Sequence, residues 1–266
     1  MIRIPSGDAE IAYEVVGEGP PVVLLHPFPT HHEFWLPAAQ ALLARYRLIL
    51  PDLRGHGESG VGDGPATMEK HATDLMRVLD HAEVGRAAFV GCSIGGYLLF
   101  EFWGRNQARV SALVLCNTKA QADTAEAKAN RLQAAADVME RGTEPFFEAM
   151  TPRLIGKTTR EARPDLVASA LGMMRRMSPE DVARVQQGMA ERPDSVSTLK
   201  TINVPTLLVT GDEDILTGPP EAEFMRQNIS GSQMKIISRA GHFSPLEQPE
   251  EAGKLLREFL DSVHGA

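Results

Sequence analysis

The segment Gly-Cys-Ser-Ile-Gly at residues 91–95 has the composition of a sharp turn that could expose a reactive serine. It follows an apolar run at residues 87–90 and precedes a helical pattern. A serine in such a strand-to-helix turn adopts strained backbone angles, so the residues two positions away, Gly91 and Gly95, must be nearly without side chains. The helix that follows points its N-terminus at the serine oxygen, where negative charge develops during acyl transfer. The pattern predicts that Ser93 is a nucleophile, and the alternative is a glycine-rich turn that serves packing or phosphate binding.

A serine hydroxyl is a weak nucleophile at neutral pH and needs a base within hydrogen-bonding distance. Among the eight histidines, His242 follows the mostly apolar, strand-like segment 234–237 in a loop near the C-terminus. That is where the base should lie if the chain order is serine, acid, histidine. His264 lies in the C-terminal tail, and His71 and His81 fall in one helical pattern, so we interpret these three as solvent-facing or packing residues. His242 is therefore the predicted general base.

The acid that orients the histidine should follow the apolar run 206–209, where three carboxylates stand close together. Such an acid has to project from a loop beyond the end of the strand. Asp214 meets this requirement best, because Asp212 immediately follows Gly211, the glycine that turns the chain. We predict Asp214 as the acid. Asp212 and Glu213 are better interpreted as solvated or turn-forming residues, and they remain the alternatives.

Short, continuously apolar runs separated by amphipathic helical stretches must position these side chains. Such runs are typical of strands that are covered on both faces in a parallel sheet. Residues 10–16 instead alternate between apolar and polar, which predicts a half-exposed antiparallel strand, and Thr67 stands at the N-cap position of one of the helices. The alternation of strand and helix predicts an α/β fold with a doubly wound, mostly parallel sheet. The apolar runs are residues 22–25, 48–50, 87–90, 113–116 and 206–209.

Residues 119–199 interrupt this alternation with several helical patterns, no convincing strand and six methionines. We predict a helical cap over the sheet, so that residues 1–118 and 200–266 form the two parts of the core and residues 119–199 form the cap. Methionines in cap helices could line an adaptable pocket, but at helical spacing methionine is more often plain core.

The net charge of −8 disfavours nucleic acid and anionic membrane surfaces as partners, because both would repel the protein. No apolar run is long enough to span a bilayer, and the N-terminus lacks the apolar core of a signal peptide, so we expect a cytoplasmic protein. Cys92 and Cys116 end apolar runs without metal-ligand spacing around them, which favours buried thiols over a disulfide or a zinc site.

Five ordered motifs together resemble the α/β-hydrolase family across nearly the full chain. They are the run Val-Leu-Leu-His-Pro-Phe-Pro at 23–29, the run Pro-Asp-Leu-Arg-Gly-His-Gly-Glu-Ser at 51–59, the serine turn at 91–95, Gly-Asp-Glu-Asp at 211–214 and Gly-His at 241–242. Within that family the chain looks most similar to the branch of 3-oxoadipate enol-lactonases, small carboxylesterases and cofactor-free haloperoxidases. The resemblance implies an eight-stranded sheet with a helical cap and structural roles for His26 and the loop 52–59. Acyl transfer through a serine, a histidine and an acid needs no metal or organic cofactor, so we expect none.

The resemblance also implies an oxyanion hole formed by the backbone N–H groups of Phe28 and Ile94. The chain departs from the family pattern at Pro27, where the residue after the first histidine is usually glycine. Proline stiffens the loop and removes one N–H group. Phe28 keeps its own N–H, so the hole can survive.

The function implied by the resemblance is hydrolysis of a small-molecule carboxylic ester or lactone. Serine at the nucleophile position argues against dehalogenase and epoxide-hydrolase activity, because enzymes of this fold with those activities use aspartate there. Perhydrolysis on the same three residues is one alternative. A small-molecule receptor with little turnover is the other.

Overall fold

One eight-stranded sheet forms the centre of the computed structural model, which describes residues 1–265. The strands are β1 (Ile2–Ser6), β2 (Ala9–Val16), β3 (Pro21–Leu25), β4 (Arg47–Pro51), β5 (Ala87–Cys92), β6 (Val110–Cys116), β7 (Thr206–Gly211) and β8 (Gln233–Ile237). Their order in the sheet is β1-β2-β4-β3-β5-β6-β7-β8. β2 pairs antiparallel with both β1 and β4, and all the remaining pairs are parallel. The predicted doubly wound, mostly parallel α/β architecture is confirmed.

Helices form two groups that pack among themselves around the sheet. One group is α1 (Leu36–Ala39), α11 (Ser244–Glu247) and α12 (Pro249–His264). The other is α2 (Met68–His81), α3 (Ile94–Asn106), α9 (Val196–Leu199) and α10 (Pro219–Asn228). Every residue of β5 and β7 is buried, as continuously apolar strands between two layers should be. The Thr67 hydroxyl caps α2 by accepting a hydrogen bond from the Lys70 N–H at 3.3 Å, as predicted.

The strand β1 is absent from the sequence prediction. It is only five residues long, contains Pro5 and lies at the edge of the sheet, where proline is tolerated because one side of the strand needs no hydrogen-bond partner. Of its apolar residues only Ile4 is buried, so the alternating pattern is too short to stand out.

A helical insertion lies between β6 and β7, and we refer to it by its predicted range, residues 119–199. Besides α9, its helices are α4 (Ala125–Arg141), α5 (Glu144–Leu154), α6 (Lys157–Ala162), α7 (Pro164–Met174) and α8 (Pro179–Ala190). The packing of α4 along α8 forms its main internal contact, and no strand occurs in this part of the described chain. The boundaries of core and cap at residues 118/119 and 199/200 remain a prediction.

The parallel strands bring their carboxyl ends to one edge of the sheet, which is where ligands bind in open α/β sheets. Cys92 and Cys116 face each other in register at this edge as buried free thiols. Within residues 1–265, no helix combines the length and the apolar character needed to cross a membrane.

Candidate active site

Ser93 lies in the turn between β5 and α3 with φ 54° and ψ −112°, a backbone conformation that side chains rarely allow. A Cβ atom on Gly91 would lie 2.6 Å from the carbonyl carbon of Gly95, and one on Gly95 would lie 2.6 Å from the carbonyl oxygen of Leu25. Both positions therefore require glycine, as the sequence pattern predicts. The Thr118 hydroxyl fixes the turn by donating to the Ser93 carbonyl at 2.8 Å.

Asp214 and His242 follow β7 and β8, and their side chains meet at the edge of the sheet. His242 Nδ1 lies 2.9 Å from Asp214 Oδ2, and both side chains are almost fully buried. Because the carboxylate engages Nδ1, the second ring nitrogen, Nε2, is left to accept a proton. The geometry is that of an acid that orients a histidine base.

Asp214 accepts further hydrogen bonds at both oxygens. Oδ2 accepts from the Asn117 amide at 2.9 Å and from the Thr217 hydroxyl at 3.1 Å, and Oδ1 accepts from the backbone N–H groups of Leu216 and Thr217. Burial opposes ionisation, but the charge and hydrogen bond of His242 together with these donors hold the pKa of Asp214 well below its usual range. The side chain is therefore an anion ready to stabilise a protonated histidine.

Thr217 and Asn117 are absent from the predicted site. The Thr217 hydroxyl also lies 3.1 Å from His242 Nδ1, so it contacts both members of the pair. Ser244 donates to the Asn117 amide oxygen at 2.6 Å, which orients the amide nitrogen toward Asp214. The sequence holds a signal for both residues. Asn117 directly follows β6, at the carboxyl edge of the sheet. Thr217 follows Asp214 at the spacing at which an aspartate side chain accepts a hydrogen bond from the backbone of its own turn.

The two alternative carboxylates do not approach the histidine ring. Asp212 Oδ1 accepts from the Ala240 N–H at 3.3 Å and so closes a turn. Glu213 accepts from the Thr158 N–H at 2.8 Å and from the Thr158 hydroxyl, and it thereby binds the helical insertion. The geometry favours Asp214 over both.

Phe28 lies in the loop after β3, and Ile94 is the first residue of α3, where the helix leaves its N–H without an internal partner. The carbonyl oxygen of Pro27 accepts three hydrogen bonds: from the Thr30 N–H at 3.0 Å, from the Thr30 hydroxyl at 2.8 Å and from His26 Nδ1 at 3.0 Å. The C=O and N–H of one trans peptide lie in a plane and point in opposite directions. The three bonds therefore also fix the direction of the Phe28 N–H.

His26 connects this loop to the loop 52–59. Its Nε2 accepts from the Leu53 N–H at 2.9 Å, so Nδ1 carries the proton that is donated to Pro27. Burial holds the pKa of His26 well below its usual range, so the ring stays neutral. These contacts agree with the supporting role expected for His26.

A cavity of 390 Å³ brings the candidate residues together. Ser93, His242 and Phe28 line it on the core side, and Phe146 and Met150 of α5 line it on the insertion side. Among the described residues, no hydrogen bond joins the Ser93 hydroxyl to the His242 ring, although both side chains line the cavity. Of the six insertion methionines, Met150 and Met189 line the cavity; Met173, Met174 and Met177 are buried core, and Met139 is exposed.

Glu247, a buried residue of α11, joins the histidine loop to the helical insertion. One carboxylate oxygen accepts from the Gly241 N–H and the other from the Gly156 N–H, both at 2.9 Å. The backbones touch here, since a Cβ atom on Gly241 would lie 2.8 Å from the Gly156 Cα. The Phe243 N–H also donates to the Leu154 carbonyl at 3.0 Å. The residues on both sides of His242 are thus bound to the insertion.

Within residues 1–265, one buried group has ligand atoms close enough together to hold a metal ion: His31, His32 and Asp52. Asp52 is already engaged, because its Oδ1 accepts from His32 Nδ1 at 2.7 Å and from the His32 N–H at 2.8 Å. Burial raises the pKa of Asp52, but the His32 hydrogen bond and nearby positive charge outweigh it and lower the pKa to about 2. The contacts are those of an internal ion pair that supports the loop 52–59.

The remaining predicted histidines lie away from the cavity lining. His71 is buried in α2, and burial lowers its pKa to about 3. His81 is exposed and contacts the Tyr13 hydroxyl, while His264 packs beside the Tyr46 ring. Packing and solvent-facing roles fit all three.

Comparison with known proteins gives a consistent set of relatives. A family model described as the alpha/beta hydrolase fold matches residues 20–249. The chain is 27% identical to 3-oxoadipate enol-lactonase 1 of Acinetobacter baylyi over 92% of its own length and 90% of the relative's. A malate-bound thermophilic esterase from Thermogutta terrifontis is 39% identical with a TM-score of 0.95, covering 99% of this chain and 98% of that one. An enol-lactonase from Burkholderia xenovorans LB400 is 26% identical with a TM-score of 0.91, covering 97% and 99%.

Proposed function

Because the chain belongs to the α/β-hydrolase family, we propose that it is a serine hydrolase that cleaves the carboxylic ester or lactone bond of a small molecule. In this proposal Ser93 forms the acyl-enzyme, His242 is the general base and Asp214 orients the histidine. The similarity to an esterase and to enol-lactonases supports the choice of bond.

The observation that carries the proposal is the convergence of three independent features on one cavity. Ser93 lies on a strained turn, His242 of the Asp214–His242 pair lines the same cavity, and so does Phe28, in a loop whose peptide is fixed by hydrogen bonds. Packing alone would not require a serine at φ 54° in a cavity wall together with a buried acid–histidine pair.

The chemistry follows from these positions. His242 Nε2 takes the proton of the Ser93 hydroxyl as the oxygen attacks the carbonyl carbon, and Asp214 stabilises the imidazolium that forms. The C–O bond to the leaving group then breaks, and the leaving oxygen takes the proton from His242. A water molecule, deprotonated by the same histidine, then attacks the acyl-enzyme carbonyl. The C–O bond to Ser93 breaks, the Ser93 oxygen takes the proton back from His242, and the acid is released.

The oxyanion of each tetrahedral intermediate would be held by the N–H groups of Phe28 and Ile94. Donors that are fixed before the reaction stabilise developing charge without reorganisation, which makes them effective catalysts. The three hydrogen bonds to the Pro27 carbonyl support such a fixed donor at Phe28. Pro27 does not remove an oxyanion donor, because the N–H that proline lacks is not one of the two donors in this proposal.

A p-nitrophenyl ester assay with purified protein tests the proposal. Ser93→Ala and His242→Ala should each lower the rate by about 10⁴ to 10⁶ without unfolding, because the residues act as a unit. Ser262→Ala, an exposed serine of α12, is the matched control and should keep the parent rate. A folded Ser93→Ala protein with activity within tenfold of the parent would refute the assignment, and tight ester binding without turnover would favour a receptor.

A further inference from the structure

We propose that the cavity binds a substrate with a second, ionised carboxylate, such as the half-ester of a dicarboxylic acid or an equivalent lactone. The inference rests on the proposed function and names the substrate class for the same site. Its basis is a group of three cations, Lys119, Arg131 and Arg192, that share the single carboxylate of Asp123 in the helical insertion.

Asp123 is enclosed by these cations. Its Oδ2 accepts from Arg131 Nε at 2.5 Å, its Oδ1 accepts from Arg192 Nη2 at 2.8 Å, and Lys119 Nζ lies 3.8 Å from Oδ1. The Asp123 side chain is almost fully buried. Arg192 lies deeper, over the Tyr97 ring at 4.2 Å, so within this group Lys119 and Arg131 reach the cavity wall. Arg153 of α5 adds a further cation to the same lining.

One carboxylate cannot balance three cations. The carboxylate of Glu221 also attracts Lys119, but the three cations still exceed the two acids by one positive charge. The side chains of Lys119 and Arg131 are each about three-quarters buried, so solvent screens the surplus only partly. Burial and repulsion from Arg192 lower the pKa of Lys119, as expected for a cation that lacks a full partner.

The surplus charge lies where a bound substrate would reach it. Lys119 follows Thr118, whose hydroxyl binds the Ser93 carbonyl, and both Lys119 and Arg131 line the cavity that contains Ser93. Within residues 1–265 the Lys119 ammonium makes one long ion pair, with Asp123 at 3.8 Å, so it retains donors for a ligand. Apolar side chains, including Phe146 and Met189, line the same cavity and would cover the carbon chain between the ester and the carboxylate.

The test compares two esters of equal length: mono-p-nitrophenyl glutarate, which is anionic, and p-nitrophenyl methyl glutarate, which is neutral. The parent should prefer the anionic ester by at least about tenfold in kcat/KM, since a charge-assisted hydrogen bond is worth that much. Lys119→Met should lower this preference about tenfold, and Lys119→Glu should reverse it. Lys157→Met, which removes an exposed lysine outside the cavity, should leave the preference unchanged.

The outcomes separate this inference from the proposed function. If both esters are hydrolysed in a Ser93-dependent way but the parent shows no preference, or Lys119→Glu does not move it, the carboxylate site is wrong and the hydrolase stands. If neither ester is hydrolysed, the proposed function fails, and calorimetric titration with glutarate decides the site. Binding that is lost in folded Lys119→Glu supports the site, and equal or absent binding to both proteins overturns it.

Discussion

The oxyanion loop permits a quantitative prediction, because the backbone donor and the bonds that hold it can be removed separately. Phe28→Pro deletes the N–H that we assign to the oxyanion hole. Removal of one such donor costs about 10² to 10³ in kcat, or about 2.7 to 4 kcal/mol. Phe28→Ala keeps the N–H and removes only the ring, so its effect should fall mainly on KM.

Thr30→Val tests whether the Pro27 carbonyl sets the direction of that donor. The substitution removes one of three hydrogen bonds to the carbonyl and preserves the shape of the side chain. A neutral hydrogen bond contributes about 0.5 to 1.5 kcal/mol, so kcat should fall by about two- to tenfold. Pro27→Gly keeps all three hydrogen bonds that the carbonyl of this residue accepts, and it should change kcat by no more than about tenfold.

The assay is the steady-state hydrolysis of a p-nitrophenyl ester, with circular dichroism as the folding control for each variant. The expected order of loss in kcat is Phe28→Pro, then Thr30→Val, then Phe28→Ala. A folded Phe28→Pro protein with near-parent kcat would show that the oxyanion is held elsewhere. If Thr30→Val lowered kcat as much as Phe28→Pro, the Thr30 hydroxyl would do more than help to orient the Phe28 N–H, and our reasoning would be wrong.

Three further predictions concern buried carboxylates. Asp214→Asn should lower kcat by about 10⁴ while Asp212→Asn stays within about tenfold of the parent; the reverse result in the ester assay would identify Asp212 as the acid. Glu247→Gln sets an amide N–H against a backbone N–H and should lower the free energy of unfolding by about 1 to 3 kcal/mol and reduce kcat. Glu213→Gln should leave kcat nearly unchanged, because the Glu213 carboxylate accepts hydrogen bonds from Thr158 of the insertion and the Glu213 N–H, which binds the Ala240 carbonyl, is kept. Equal kcat for these two variants would contradict the proposed coupling. Because the folded pKa of Asp52 is lowered from 3.8 to about 2, its contribution to stability, about 2 to 3 kcal/mol, is present above pH 4 and lost as the pH falls toward 2. Urea unfolding of Asp52→Asn between pH 6 and pH 3 should show a shallower loss than the parent, and parallel curves would rule this out.

The serine turn could be predicted because its determinants are local. Strand, turn and helix follow one another within residues 87–106, and the close contacts of Gly91 and Gly95 depend on that local geometry. The central parallel strands, such as β5 and β7, could be predicted equally well, since a strand buried on both faces has to be apolar throughout.

Other features depended on contacts that sequence spacing does not encode. The choice among three neighbouring carboxylates rests on which loop each one meets: Asp214 meets the histidine, Asp212 meets Ala240 and Glu213 meets Thr158. Glu247 resembles an ordinary solvated glutamate in the sequence, and its burial between two glycine N–H groups from distant segments becomes visible only in three dimensions.

The contact between Gly156 and Gly241 has a consequence for chimeric proteins. A designer who wants to alter substrate range could exchange the helical insertion for that of a relative and leave the sheet intact. The exchange would also replace the backbone of residues 154–156, where the Leu154 carbonyl accepts from the Phe243 N–H and the Gly156 N–H donates to Glu247, which in turn binds the Gly241 N–H. The segment that can be exchanged is therefore shorter than the insertion. It has to exclude residues 154–158, so that the recipient keeps its own support for the histidine.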